Sequence, residues 1–217
     1  MKPLNKIKID WSGDLAYAIG LIATDGCLYN DGRHLAFVSK DLQLIKTFNN
    51  CLGLKVKIAK KQSGFLKTSF AYWVQLGDVN FYKFLVSIGL TPRKSKTLGL
   101  LKIPNKYFFD FLRGSFDGDG SLYSYWDKRW ASSFLYYLSF CSASLKHLVW
   151  LQKIIRKLVG VKGHINTYSG AKAYQLKYAK TEAKVIFKKM YYSPTVPRLE
   201  RKFQKVYNIL TIDRKNS

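Results

Sequence analysis

The stretch "FLRGSFDGDGS" (residues 111–121) ends an apolar segment with two aspartates, although acidic residues are scarce in this chain. Most of it aligns with an earlier stretch, "AIGLIATDG" (residues 18–26). The residues that match are Gly20 with Gly114, Asp25 with Asp119 and Gly26 with Gly120. A repeated pattern of this kind indicates an internally duplicated chain.

The similarity continues beyond these two stretches, in the same order along the chain. The further pairs are "FVSKDL" with "FCSASL" (37–42 and 140–145), "LGLKVKI" with "VGVKGHI" (52–58 and 159–165) and "PRKSK" with "ERKFQK" (92–96 and 200–205). We therefore predict two related units, residues 1–100 and residues 101–217, with a basic helix at the C-terminal end of the second.

Each predicted unit contains helices and hairpins in the order αββαββα. Turn-forming residues at 30–32, 62–64 and 169–170 separate pairs of strands. Asp41 and Ser144 are good N-cap residues for the helix that follows the first hairpin. The predicted fold class is α+β, with two pseudo-symmetric αββαββα units that each hold a four-stranded antiparallel sheet.

The first helix of each predicted unit is suited to close pairing. Residues 15–23 are apolar on every side, which is typical of a buried helix. Gly20 and Gly114 lack a side chain, so two helix backbones can approach closely at these positions. We predict that the two helices pair through these glycines and join the units about a pseudo-two-fold axis.

Both helices would end at an Asp-Gly dipeptide, since glycine is favoured just past a helix end. Pairing would place Asp25 and Asp119 at the same end of the helix pair. Their charges repel each other, and divalent cations offset such repulsion because hard cations prefer carboxylate oxygens. Two carboxylates, metal ions and a basic surface suit hydrolysis of a phosphodiester bond.

Simpler interpretations of these aspartates exist. An Asp-Gly pair after a helix is usually only a turn, although its duplicated placement argues against that interpretation. A calcium loop needs Gly at its sixth position and Glu at its twelfth, where this chain has Leu122 and Lys128. Asp117 has no acidic counterpart, because Ala23 occupies its place, and we interpret Asp117 as a helix-end or surface residue.

The composition narrows the choice of partner. The chain has 37 Lys and Arg against 13 Asp and Glu, a net charge of +24, which favours nucleic acid. No basic amphipathic helix or lipidation signal points to a membrane. The 3 cysteines form no CxxC pair, so a zinc ribbon or disulfide framework is disfavoured and an intracellular setting is expected. We interpret each cysteine as a small buried residue.

The predicted sheets each have one apolar face and one basic, hydrogen-bonding face. Lys55 and Lys57 alternate with apolar residues in one strand, and Gln175 and Lys177 do so in another. β-ribbons of this kind fit the major groove of DNA. The candidate DNA contacts are Arg33, Lys40, Lys55, Lys57, Gln75, Asn166, Lys172, Gln175 and Lys177.

The two aligned stretches and the repeated αββαββα order resemble the LAGLIDADG homing endonucleases, specifically the single-chain members with two motifs. The resemblance covers nearly the whole chain. It implies an intron-encoded, monomeric nuclease that cuts both strands of DNA at a long site and leaves short 3′ overhangs. It also implies Mg²⁺ as cofactor, or Mn²⁺, with Ca²⁺ binding without supporting cleavage.

The resemblance also assigns roles to residues of this chain. Asp25 and Asp119 would hold the metal together with the carbonyl groups of Thr24 and Gly118. Lys94 and Lys202 would be the basic residue near each site. The position that often carries a water-positioning polar side chain is Lys40 in one unit and Ala143 in the other, which implies unequal sites.

Two other functions fit the same charge and scaffold. One is a catalytically silent DNA-binding protein, and the other is an RNA maturase that assists splicing, with intron RNA as its partner. An HNH nuclease is disfavoured, because the 3 histidines are scattered along the chain.

Overall fold

The computed structural model describes residues 6–62, 70–130, 133–167 and 173–215. Within these ranges the chain forms seven α-helices, one short 3-10 helix and eight strands. The strands make two four-stranded antiparallel sheets, so the predicted α+β class and the repeated αββαββα order are confirmed. The predicted turns at 63–64 and 169–170 lie outside the described residues. None of the helices in these ranges combines the length and apolar character that crossing a bilayer requires.

The two halves of the chain contain equivalent elements. The first half comprises α1 (Gly13–Asp25), β1 (Gly26–Leu28), β2 (His34–Ser39), α2 (Leu42–Cys51), β3 (Ala59–Gln62), β4 (Phe70–Gly77) and α3 (Val79–Ser87). The second comprises the 3-10 helix (Asn105–Tyr107), α4 (Phe108–Asp119), β5 (Ser121–Trp126), β6 (Phe134–Ser142), α5 (Leu145–Val159), β7 (His164–Asn166), β8 (Tyr174–Ala179), α6 (Lys180–Met190) and α7 (Glu200–Lys215).

The two sheets have the same topology, β1-β2-β4-β3 in the first half and β5-β6-β8-β7 in the second. Apolar residues alternate along the strands, so one face of each sheet is buried beneath helices. In the first sheet, Phe37 and Val74 are buried on that face. Leu138 and Leu176 are buried on the corresponding face of the second. The other face of each sheet points away from the helices.

The helices α1 and α4 pack against each other at the centre of the molecule. A Cβ atom added to Gly20 would lie 2.2 Å from the carbonyl oxygen of Phe111, and one added to Gly114 would lie 2.1 Å from that of Tyr17. Only glycine permits such an approach. Gly20 and Gly114 therefore lie at the contact that joins the two halves.

A buried ionic network fastens α4 to the segment that follows α6. The Arg113 side chain is fully buried and donates hydrogen bonds to Asp110 Oδ1 at 2.7 Å and to the carbonyls of Met190 and Pro197. A buried guanidinium needs such partners, because an unpaired charge in the interior is strongly destabilising. Arg113 thus fixes the course of the chain as it approaches α7.

Asp41 and Ser144 occupy the N-cap positions of α2 and α5, as predicted, but their side chains do not cap the helices. Neither side chain makes a capping hydrogen bond. The Asp41 carboxylate instead accepts hydrogen bonds from Arg201 Nε, at 3.1 and 3.2 Å, and Nη2, at 2.7 Å. Ser144 Oγ donates to the carbonyl of Leu98. Tertiary partners have displaced the local ones that the sequence suggested.

The burial of the cysteines differs from the prediction, and the position of the C-terminal helix was not predicted. Cys27 is exposed, and the other two cysteines are only partly buried, so the interpretation of all three as buried residues is wrong. The C-terminal helix α7 packs on strands β5 and β6 of the second half, with Val206 and Ile209 buried. Its apolar side therefore belongs to the core.

Candidate metal centre and nucleic-acid interface

Asp25 and Asp119 are the last residues of α1 and α4, the two paired helices. The glycine after each adopts an extended conformation, with φ of −78° at Gly26 and −71° at Gly120. These glycines stand just past the helix ends, as predicted, but not in the left-handed conformation that glycine often adopts there. A Cβ atom at Gly26 would lie 2.7 Å from the Ile22 carbonyl oxygen, so the absence of a side chain is what the tight exit requires.

The ends of the two helices lie in direct contact. A Cβ atom added to Gly118 would lie 2.0 Å from Thr24 Oγ1 and 2.6 Å from Asp25 Oδ2. The Asp25 carboxylate therefore rests against the α4 backbone one residue before Asp119. The structure thus brings the carboxylates of Asp25 and Asp119 to the same end of the helix pair.

The electrostatics of this carboxylate pair are unfavourable without a cation. Burial raises the pKa of the Asp25 carboxyl to about 6, and the negative charge of Asp119 adds to the increase. Partial burial also raises the pKa of Asp119, while Lys202 and Lys94 oppose that change. Two partly desolvated carboxylates this close favour either a proton or a positive ion between them.

Lys94 and Lys202 occupy equivalent places beside this pair. The Lys94 ammonium donates to the carbonyl of Gly26, the glycine after Asp25. Lys202 Nζ donates to the carbonyl of Gly120, the glycine after Asp119, at 2.7 Å. Burial lowers the pKa of both lysines, to about 8 for Lys202. The two short motifs "PRKSK" and "ERKFQK" therefore place their lysines symmetrically.

Lys202 also contacts one of the expected metal ligands. Its Nζ lies 3.0 Å from the carbonyl oxygen of Gly118 and 2.6 Å from that of Phe116. A carbonyl oxygen has two lone pairs, so that of Gly118 can accept this hydrogen bond and still face a cation. Thr24, the equivalent residue of α1, turns its hydroxyl to the carbonyl of Leu21 at 3.0 Å.

Asp117 lies in the last turn of α4, as predicted, but it is not a surface residue. Its side chain is buried, with 1% exposure, and Oδ2 accepts hydrogen bonds of 2.7 Å from the Tyr17 hydroxyl and from the Leu199 N–H. Burial raises its pKa to about 6. Asp117 thus links α1, α4 and the start of α7, a role that its replacement by Ala23 in the other half could have suggested.

A cavity of about 160 Å³ opens beside Asp119 and is lined by Lys94, Ser142, Ala143 and His147, among others. Burial lowers the pKa of His147 to about 4, and its Nδ1 lies 3.0 Å from the carbonyl of Gly99. The imidazole is therefore neutral at pH 7. Ala143 offers no polar side chain to this cavity.

Most candidate DNA contacts in the described ranges are accessible. Arg33, Lys40, Lys55, Lys57 and Gln75 are exposed, while Asn166, Gln175 and Lys177 are partly exposed on the outer face of the second sheet. Lys55 and Lys57 precede β3 and are not part of it, so that strand is shorter than expected. Lys172 lies outside the described residues.

No protein-family model matches this chain, and no curated protein matches it by sequence. Solved structures do match its fold. The LAGLIDADG meganuclease I-AabMI bound to uncleaved DNA is similar with a TM-score of 0.59 at 12% identity, over 90% of this chain and 88% of that one. I-DmoI in complex with DNA and Mn matches with a TM-score of 0.51 at 17% identity, over 82% of this chain and 97% of that one.

The full-length DUF199/WhiA protein from Thermatoga maritima also matches, with a TM-score of 0.58 at 15% identity. The match covers 94% of this chain but only 62% of that one. The resemblance to LAGLIDADG proteins is thereby confirmed at the level of the fold. A fold shared at such low identity does not by itself specify DNA cleavage.

Proposed function

We propose that this protein is a metal-dependent, site-specific DNA endonuclease that cuts both strands at a long recognition site. The observation that carries the proposal is the juxtaposition of Asp25 and Asp119 at one end of the central helix pair. A lysine stands beside each carboxylate. Two symmetrically placed sites within one chain would serve the cutting of two strands, and a monomer would suffice.

The residues present fit Mg²⁺ or Mn²⁺. Asp25 and Asp119 offer hard carboxylate oxygens, and burial raises the pKa values of both beyond what Lys94 and Lys202 offset. The carbonyl groups of Thr24 and Gly118 would complete the protein's contribution. Among the described residues no cluster of three or more His, Cys, Asp or Glu could hold a metal, so water and DNA phosphate would supply the remaining ligands. When bound, the metal would activate water and stabilise the leaving oxygen.

The protein's own side chains would position the backbone of the DNA. Lys94 and Lys202 lie at the metal end of the helices, where their ammonium groups would stabilise negative charge on the phosphate undergoing attack. The net charge of +24 would draw the duplex onto the outer faces of the sheets. The likeness to I-DmoI in complex with DNA and Mn supports DNA and a divalent metal ion as the partners of this protein.

The decisive experiment compares DNA cleavage and DNA binding in carboxylate variants. In magnesium, a randomised duplex library is incubated with the protein and the cut site is read by sequencing. Asp25→Asn and Asp119→Asn should each abolish double-strand cleavage and leave binding in gel shifts largely intact. Asp10→Asn, which removes an exposed carboxylate just before α1, at the opposite end of that helix from Asp25, is the matched control. Full cutting by either motif variant would show that the assignment of the metal ligands is wrong.

One other candidate is a DNA-binding protein on the same scaffold that does not cleave. Such a protein would bind a specific duplex in the same library experiment but leave it uncut in Mg²⁺ and Mn²⁺. A role as an intron-encoded maturase would instead require stimulation of splicing of a host intron RNA, which a splicing assay with the same variants measures.

A further inference from the structure

The outer face of the first sheet has an apolar centre. In the strand register, Cys27 pairs with Ala36 and Val38 pairs with Trp73, all on the face opposite the buried Phe37. With Ala71 these side chains line a concavity of about 490 Å³, which we call the apolar trough. The side chain of Val38 is 43% exposed. Cys27 is also exposed, whereas Ala36 and Ala71 form the floor of the trough, with 5% and 7% exposure. A contiguous apolar concavity on the outer face of a sheet is typical of a binding surface.

The equivalent positions of the second sheet are polar except for Cys141, which takes the place of Val38. The aligned stretches "FVSKDL" and "FCSASL" place Ala36 opposite Ser139 and Val38 opposite Cys141. The strand partners extend this equivalence to the neighbouring strands. The further pairs, first sheet then second, are Cys27 with Ser121, Trp73 with Gln175, Ala59 with Asn166 and Gln75 with Lys177. The two halves therefore present different chemistry in the same geometry.

Cations surround the apolar trough, which argues for DNA as its occupant. Lys61 lines the trough, and Arg33 and Lys57 are exposed at the same sheet. A protein partner with an apolar surface would gain nothing from these charges, whereas a DNA duplex places phosphates beside any groove that a sheet enters.

The apolar group that base pairs display in the major groove is the thymine methyl. We propose that the first sheet reads an A·T-rich half-site by contacts between thymine methyl groups and the apolar trough, centred on Val38. Gln75, at its edge, is suited to bidentate recognition of adenine. The second sheet reads the other half-site by hydrogen bonds from Gln175, Asn166 and Lys177. This inference rests on the proposed function, because it requires binding of double-stranded DNA.

The test removes only the methyl groups. The preferred duplex is first selected from a randomised library with the full chain in a chelator, which prevents cutting. Thymidine is then replaced by deoxyuridine in one half-site at a time, which leaves every hydrogen-bonding group in place. Affinity should fall by about fourfold for each contacted methyl in the half-site of the first sheet. The same replacement in the other half-site should change affinity by less than about twofold.

The Val38→Thr variant tests whether the apolar trough causes the sensitivity of affinity to deoxyuridine. Val38→Thr keeps the shape of the side chain and adds a hydroxyl, and the exposure of Val38 makes folding insensitive to the change. This variant should bind the thymidine duplex more weakly and should lose most of its sensitivity to deoxyuridine. Cys141→Ser at the equivalent position of the second sheet is the control and should retain that sensitivity.

The outcomes separate this inference from the proposed function. Selective binding without sensitivity to deoxyuridine in either half-site would overturn methyl reading and leave the endonuclease proposal standing. A dimer in sedimentation experiments that Val38→Lys dissociates would also overturn it, because a second copy would then cover the trough. Failure to bind any duplex would refute both.

Discussion

The Tyr17 hydroxyl donates a hydrogen bond of 2.7 Å to the buried carboxylate of Asp117 and so joins α1 to α4 directly behind the metal end of the helix pair. The same carboxylate oxygen accepts the N–H of Leu199, which leads into the helix that carries Lys202. One buried group therefore sets the relation of three elements on which the site depends.

Tyr17→Phe should lower the free energy of unfolding by about 1.5–3 kcal/mol, since a buried carboxylate loses a charge-assisted partner. Urea denaturation measures the change. Tyr82→Phe is the control, because Tyr82 donates to the neutral carbonyl of Tyr29 within one half and should cost about 0.5–1.5 kcal/mol. Equal losses in the two variants would contradict a special role for the bond to Asp117.

The contact between α1 and α4 leaves no space for a side chain at Gly20 or Gly114. We expect Gly20→Ala and Gly114→Ala each to destabilise the fold by about 3 kcal/mol or more, because the new Cβ would overlap a backbone carbonyl that cannot move aside. Gly99→Ala meets no atom within 4 Å and should be close to neutral in thermal unfolding. If Gly20→Ala melts at the temperature of Gly99→Ala, the helices do not pair as described.

The stabilisation by Mg²⁺ should depend on pH. In the folded protein the pKa of Asp25 is raised from 3.8 to about 6, so without metal this group contributes stability that is fully present below about pH 4 and lost as the pH rises through about 6. Magnesium competes with the proton for the same carboxylate. Its effect on the melting temperature should therefore be largest near pH 7.5 and small below pH 6.

Asp25→Asn provides the control for this experiment, since the amide neither titrates nor binds Mg²⁺ well. The variant should show a weaker response to Mg²⁺ and little change in that response between pH 5 and pH 7.5. An identical metal response in the variant and the parent protein would place the ion elsewhere.

Lys202→Met should slow DNA cleavage in single-turnover experiments by about 100-fold or more, with little change in gel-shift affinity, because the lost charge acts on the phosphate undergoing attack. Lys205→Met removes an exposed lysine from the same helix and should cleave normally. Similar cleavage rates for the two variants would remove Lys202 from the chemistry.

Binding to DNA should weaken steeply with salt. For a duplex, the logarithm of the affinity falls against the logarithm of salt concentration with a slope of about −0.9 for each neutralised phosphate. Fluorescence anisotropy over a range of salt concentrations measures the slope, and the Lys57→Ala variant should show a shallower one. A flat response in the parent protein would exclude binding through the basic sheet faces.

Several features of this protein follow from its sequence by itself. The duplicated motif, the small residues at 20 and 114 and the alternation of the strands predict the paired helices and both sheets. They also predict that Asp25 and Asp119 meet. The sequence predicts these features because helix and strand patterns depend on residue size and periodicity over a few neighbouring positions. The same pattern also occurs in both halves.

Other features were decided by the tertiary structure. The side chains of Asp41 and Ser144 bind partners far along the chain and do not cap their helices. Asp117 is buried and accepts a hydrogen bond from Tyr17 of the other half. Lys202 donates hydrogen bonds to three carbonyl groups at the end of α4. Each depends on which polar groups are removed from water together when distant segments pack. A buried donor or acceptor must find a partner in space, wherever in the chain that partner lies.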